Sequence, residues 1–452
     1  MKIDGNDHVA DFILGLSWDE LPADVRQRAR LCLLDALGAA LAGTLTPVSR
    51  IAAGYASTLW RGDGATILLH GRRARAPGAA FANACAANGL DIDDDAIFTR
   101  GHPGAQLIPT VLAVAEQTRA GGKALLEALV VGYEVAIRAG RCWHAYHEIY
   151  QSCGSWGSVA CAAAATRLLG LSHAEVKHAL GIAEYHAPNA PMLRDILHPG
   201  MVKHAVGWGA MNGIISAELA GRGFTGIPSL LGFEEYRDWV LDIGDRYWMA
   251  DGVFYKGWAS CAWGHAACQA AWQLVREHAL PVDRIEHIRV RAFEEALMLH
   301  PAYPATTEEA QFSVKWPLAS LLVDGEIGPD QVLEHRLQDP EIRALFDRIE
   351  LVLDPGIDRL YKDAQEMDLR MHSAVGITLD DGRVYDSGLV ERGADRWDQD
   401  SLERKFSWLV GYVLDPEAVS DLIKLLREFE CLDSVHELTR GLCHAAAPGW
   451  LR

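Results

Sequence analysis

The sequence predicts a mainly α protein in which a large all-helical domain is joined to a smaller α+β unit. Three observations carry this reading. Residues 8–275 are rich in Ala, Leu and Gly at helical spacing, residues 285–385 contain runs alternating apolar with polar, and residues 400–443 return to helical periodicity. At 452 residues, with half of them apolar and 23% charged, the chain is long enough for two domains and a sizeable core. The predicted division is a discontinuous helical domain over 1–277 and 399–452, and an α+β domain over 278–398.

In chain order, the helical pattern is strongest over residues 25–42, 108–117, 123–139 and 159–169. Small residues on several faces, as at 160–165, let helix backbones approach closely in a packed bundle. Gly121, Gly122, Gly170, the glycines of 221–226 and Pro228 punctuate these helices. Residues 285–293 and 349–353 then read as strands, and 376–385 as strands meeting at an Asp380-Asp381-Gly382 hairpin turn. Helices are expected between them at 310–323 and 331–346.

Composition excludes several classes of function. No apolar run reaches the roughly 20 residues needed to cross a bilayer. The acidic N-terminal stretch, with Asp4, Asp7 and Asp11, is no signal peptide, so the expected location is the cytoplasm. Nine scattered cysteines with no Cys-x-x-Cys pair give neither a disulfide framework nor a zinc or iron–sulfur spacing. A net charge of −19 repels nucleic acid and anionic lipid, so an anionic substrate would need a local cluster of Lys, Arg and His.

Three constellations carry chemistry. The first is the acidic run Asp91, Asp93, Asp94 and Asp95, followed by Gly101-His102-Pro103-Gly104. The aspartates are costly unless solvated, ion-paired or functional, and taken alone read as a solvated turn or a casual cation site, while His102 beside a helix N-terminus is expected to be a neutral base, because the helix dipole disfavours imidazolium. The second is Lys203-His204 before the Gly207-Trp208-Gly209 segment, and the third is Lys256 with His265 after it. Lone lysines in aromatic and glycine-rich surroundings serve either as snorkelling or carbonyl-capping groups or as anion receptors.

Leu34-Asp35-Ala36-Leu37-Gly38, the Asp91-Ile92-Asp93-Asp94 run with Gly101-His102-Pro103-Gly104, Lys203, Gly223-Phe224-Thr225-Gly226, Lys256 before His265, Gln311-Phe312-Ser313 and Lys405-Phe406 occur in an order that resembles the MmgE/PrpD family. The family includes 2-methylcitrate dehydratase, cis-aconitate decarboxylase and iminodisuccinate epimerase. The resemblance implies a helical domain with an α+β lid, a homodimer, no metal or organic cofactor, and a cleft that removes a proton beside a carboxylate of a small di- or tricarboxylic acid. It implies His102 as the base, Asp91 as its orienting partner, Lys203 and Lys256 as carboxylate holders and His265 as a neighbour.

The chain departs from the family pattern at two positions. Where relatives carry a second histidine the sequence reads Gln151, and where some carry a tyrosine it reads Trp316. Glutamine hydrogen-bonds but delivers no proton at neutral pH. Tyr146, Tyr150, His144 and His147 are candidate replacements if they share one helix face, and they read equally well as a structural aromatic stripe. His144 and His147 form a metal-like pair without a third ligand. Cys153 is either a nucleophile or a packed thiol. The expected activity is a hydro-lyase of the 2-methylcitrate dehydratase kind. Alternatives are an epimerase of an amino- or iminodicarboxylate, which tolerates Gln151, then a decarboxylase, then a non-catalytic metabolite-binding dimer.

Overall fold

Small side chains decide the architecture. The computed structural model describes residues 4–364, 370–392 and 397–444 and is mainly α, its described strands forming one five-stranded sheet and two short two-stranded pairs. Its helical bundle includes α1 (Ala23–Gly43), α2 (Pro47–Leu59), α3 (Ala76–Ala87), α4 (Gly104–Thr118), α5 (Gly122–Tyr146), α6 (Cys153–Leu169) and, beyond the short α7 (Met192–Leu197), whose Met192 and Ile196 join a second core, α8 (Val206–Ala220). The alanines of α3 and α6 are buried almost throughout, so these two are enclosed on several sides rather than amphipathic.

Close approach is built on glycine. A Cβ on Gly154 of α6 would lie 2.1 Å from the Ala205 carbonyl oxygen, and one on Gly209 of α8 would lie 2.9 Å from the Gly154 Cα. The α6–α8 crossing therefore brings the 203–205 turn directly against the bundle.

The second core is formed by β1 (Ile285–Ala292), β2 (Ile349–Leu353) and β3 (His372–Leu379), together with α9 (His265–Glu277) and α10 (Lys315–Asp324). Strand order is β2-β1-β3-β4, where β4 is Val384–Asp386, and β5 (Val390–Glu391) also pairs with β3. β1 runs parallel to β2 and antiparallel to β3. The apolar residues of α9 join this core although they precede residue 278. At the other end of the chain, α11 (Gln399–Val410) packs on α1, where Lys405 Nζ meets Asp35 Oδ1 at 2.5 Å and donates to the Ile92 carbonyl at 2.8 Å.

Three predicted helices differ. The helix expected from residue 108 begins at Gly104, because Pro109 occupies its second turn rather than its first. The helix expected over 310–323 divides into Thr307–Gln311 and Lys315–Asp324, its break held by Cys261 N donating to Gln311 O and His300 N to Phe312 O. The helix expected over 331–346 divides at Asp339-Pro340, where Asp339 caps a new N-terminus and proline bars helical geometry in the residue before it.

Candidate active site

The aspartates predicted as a solvated turn are buried. Asp91 is 1% exposed and Asp93 and Asp94 are fully enclosed, so each carboxylate must be compensated inside the protein. Asp91 adopts a left-handed φ of 52°, and its Oδ1 lies 2.9 Å from Lys256 Nζ and 3.5 Å from His102 Nε2. Asp93 Oδ2 is 3.2 Å from His102 Nδ1, while Asn88 Nδ2 donates to Asp93 Oδ1 at 2.9 Å. Asp94 accepts from Gly104 N and from the Tyr133 hydroxyl. Burial, with neighbouring Asp35 and Asp93, pushes its carboxyl up to about 8. Asp95 Oδ2 is 3.6 Å from Arg392.

His102 lies just ahead of α4. Its Nδ1 stands 2.7 Å from the Asp94 carbonyl oxygen, which makes Nδ1 the N–H donor and leaves Nε2 to exchange a proton. Burial alone would lower its pKa, but Asp93 and Asp91 outweigh burial and the opposing Lys256 and raise it to about 9. The resting side chain is therefore an imidazolium, contrary to the neutral base expected from the helix dipole. The paired carboxylates are nearer and carry full charges, so they prevail.

His204, visible in the sequence beside Lys203 but without a role there, stacks on His102 with ring centroids 5.2 Å apart. It sits in a turn of three consecutive left-handed residues, Lys203, His204 and Ala205, none of them glycine. Such strain persists only where surrounding packing enforces it, and here α6 does so. His204 Nδ1 is 2.8 Å from Asp195 Oδ2, and the His204 backbone N–H donates to the same oxygen. This geometry orients the ring with Nε2 outward. Asp195 lies on α7.

A cavity of about 210 Å³ opens beside the stacked pair, lined on its polar side by Asp91, Arg100, His102, His204 and Tyr150. Tyr150 donates to the Arg100 carbonyl, and burial raises its phenol well above the usual range, so it stays protonated.

The other predicted residues lie elsewhere. Lys256 is fully buried against Asp91, and Lys203 is buried with Nζ 2.8 Å from Gln311 Oε1, so neither ammonium lines the cavity. His265 is held 3.0 Å from the Ser260 carbonyl and, being buried, is pushed well below its ordinary pKa. Gln151 and Tyr146 line a different cavity, with His147 and Glu184, and Gln151 Oε1 accepts from Ala190 N at 2.8 Å. Tyr146 is the last residue of α5 and Tyr150 lies beyond it, so the shared helix face does not form. His144 Nε2 faces the Thr99 carbonyl and burial lowers it to about 4. Trp316 is buried in the second core, its indole N–H donating to Gln331 O. Cys153 Sγ accepts the His102 backbone N–H, and burial raises its thiol far above the reactive range.

Asp91, His102 and His204 each present a possible ligand atom, all within 4.8 Å of one another. Lys256 already contacts the Asp91 oxygen, so one of these three ligand atoms is engaged by an ammonium.

Residues 7–237 match the MmgE/PrpD N-terminal domain and residues 258–430 the MmgE/PrpD C-terminal domain. Similar proteins are enzymes. They include the cis-aconitate decarboxylase of Homo sapiens, 29% identical over 97% of this chain and 94% of that protein. The cis-aconitate decarboxylase of Aspergillus terreus is 24% identical over 96% and 95%, and the 2-methylcitrate dehydratase of Cupriavidus necator is 25% identical over 80% of each.

Proposed function

The chain belongs to the MmgE/PrpD family, and from that premise we propose that it is a lyase acting on a small di- or tricarboxylate, with decarboxylation as its reaction. The observation that carries this reading is the placement of His102 on the cavity lining with the Asp93 and Asp91 carboxylates beside its ring, an arrangement that favours the imidazolium. Loss of CO2 breaks a carbon–carbon bond and leaves an electron pair on carbon, delocalised into a conjugated carboxylate. Completing the reaction takes a proton, which an imidazolium supplies and a neutral imidazole does not. His102 Nε2 delivers it, Asp93 and Asp91 favour its reprotonation, Arg100 offsets the carboxylate charge, and His204 offers a hydrogen bond.

The test is CO2 release from a panel of unsaturated di- and tricarboxylates that includes cis-aconitate. Release should fall by roughly 10²–10⁴-fold in His102→Gln. A panel that yields neither CO2 nor any other product would sink the reading.

A hydro-lyase is the second reading, favoured by the imidazole pair. Elimination of water needs an acid for the leaving hydroxyl and a base for the α-proton, and His204, oriented by Asp195, offers the base that Gln151 could not. New ultraviolet absorbance from citrate-like hydroxyacids would mark it. The epimerase reading drew its weight from a missing second proton carrier, and His204 and Tyr150 both lie on the cavity wall.

A further inference from the structure

Polar residues are only part of the cavity lining. The rest is apolar: Met192, Leu193 and Ile196 of α7, Trp263, Met298 after Leu297, and Met371 before β3. Three of the chain's eight methionines converge here: Met192 and Met371 belong to the second core and Met298 packs against it, so the apolar lining is the edge of that core. Methionine is flexible and polarizable and accommodates apolar groups of varied shape. Arg100 and His102 bring positive charge to the wall and His204 an imidazole, while Lys203 and Lys256 do not reach it. Asp91, Asp95 and Glu295 also line the cavity, so carboxylates added beyond those met by the cations would approach like charge.

We infer that the substrate is a dicarboxylate bearing an apolar branch, its two carboxylates on the Arg100–His102–His204 side and the branch against Met192, Met298 and Met371. This rests on the lyase reading for its chemistry but not for its binding, and it departs from a tricarboxylate.

Saturated acids, which a lyase leaves intact, separate the two questions. Calorimetric titration of the wild-type chain with succinate, methylsuccinate, propylsuccinate and tricarballylate should show affinity rising about fourfold per added carbon until the cavity is filled. Tricarballylate should bind at least about tenfold more weakly than propylsuccinate. Flat affinities across the alkyl series, or tricarballylate binding as tightly as propylsuccinate, would overturn the inference. Met298→Lys should reverse the order in favour of tricarballylate, with circular dichroism checking its fold. Should that variant fail to fold, the wild-type series decides alone. An alkyl preference without turnover of any unsaturated acid would sink the lyase reading and leave this inference standing, whereas turnover with tricarballylate bound tightest would do the opposite.

Discussion

His102 holds its proton through two carboxylates, which makes its pH behaviour calculable in sign. Its folded pKa, about 9, lies above the ordinary 6.5, so the stability this interaction contributes is complete below about 6.5 and is lost as pH rises through about 9. Activity that depends on the imidazolium follows the same course, with kcat/KM level near neutrality and falling on the alkaline side. Asp93→Asn removes the largest factor raising the pKa, so the alkaline fall should shift toward neutral pH. A kcat/KM profile whose alkaline limb stays where it was in wild type would remove His102 as the acid. Lys256 makes a second prediction at this scale. Lys256→Met strands the buried Asp91 carboxylate and should cost about 3–5 kcal/mol in urea unfolding, and pairing it with Asp91→Asn should recover most of that. Equal losses in the single and double variants would mean that the pair contributes no such compensation. The acidic run, His102 and both lysines were legible in the sequence because charge inside an apolar stretch is costly and therefore conspicuous. Their pairing was not, since Lys256 is 165 positions from Asp91, and the protonation state of His102 depends on that pairing.

At the scale of elements, helix existence followed from periodicity, while helix ends followed from contacts that periodicity does not encode. The break after Gln311 places that side chain between Lys203 and the Gly89 carbonyl, and the Asp339-Pro340 step is visible locally only if proline is given precedence over the apolar spacing around it. The place of His204 beside His102 was hidden for a related reason: no glycine marks the left-handed turn 203–205, and the glycine that permits it, Gly154, lies on another helix. That dependence is testable. Gly154→Ala pushes a methyl into the Ala205 carbonyl, and the backbone on both sides is enclosed, so stability should fall by roughly 1–3 kcal/mol and turnover should fall with the displaced His204. Gly54→Ala, in α2 with nothing within 4 Å, should instead leave activity unchanged and raise stability by up to about 1 kcal/mol. Thermal melts that rank the two substitutions equally would detach the turn from the α6 contact.

For the whole molecule, the change in sequence texture revealed a helical bundle and an α+β unit, but not which side chains face each other across them. The cavity is assembled from residues 91–102, Tyr150, α7, His204, 261–263, 295–298, Tyr361 and Met371, and no local spacing links segments so far apart. Charge, in contrast, is a global property available from composition, and it sets up a conflict. A chain with net charge −19 repels a dianion at long range, whereas the cationic side of the cavity attracts it at short range. Salt separates the two because the Debye length shrinks from about 30 Å at 0.01 M to about 8 Å at 0.15 M, which erases the distant surface charges and spares contacts inside the cavity. Methylsuccinate affinity should therefore rise, by roughly two- to fivefold, over that range of ionic strength. A fall would mean that local cations govern capture even at low salt, and that the acidic surface has no influence on how the substrate arrives.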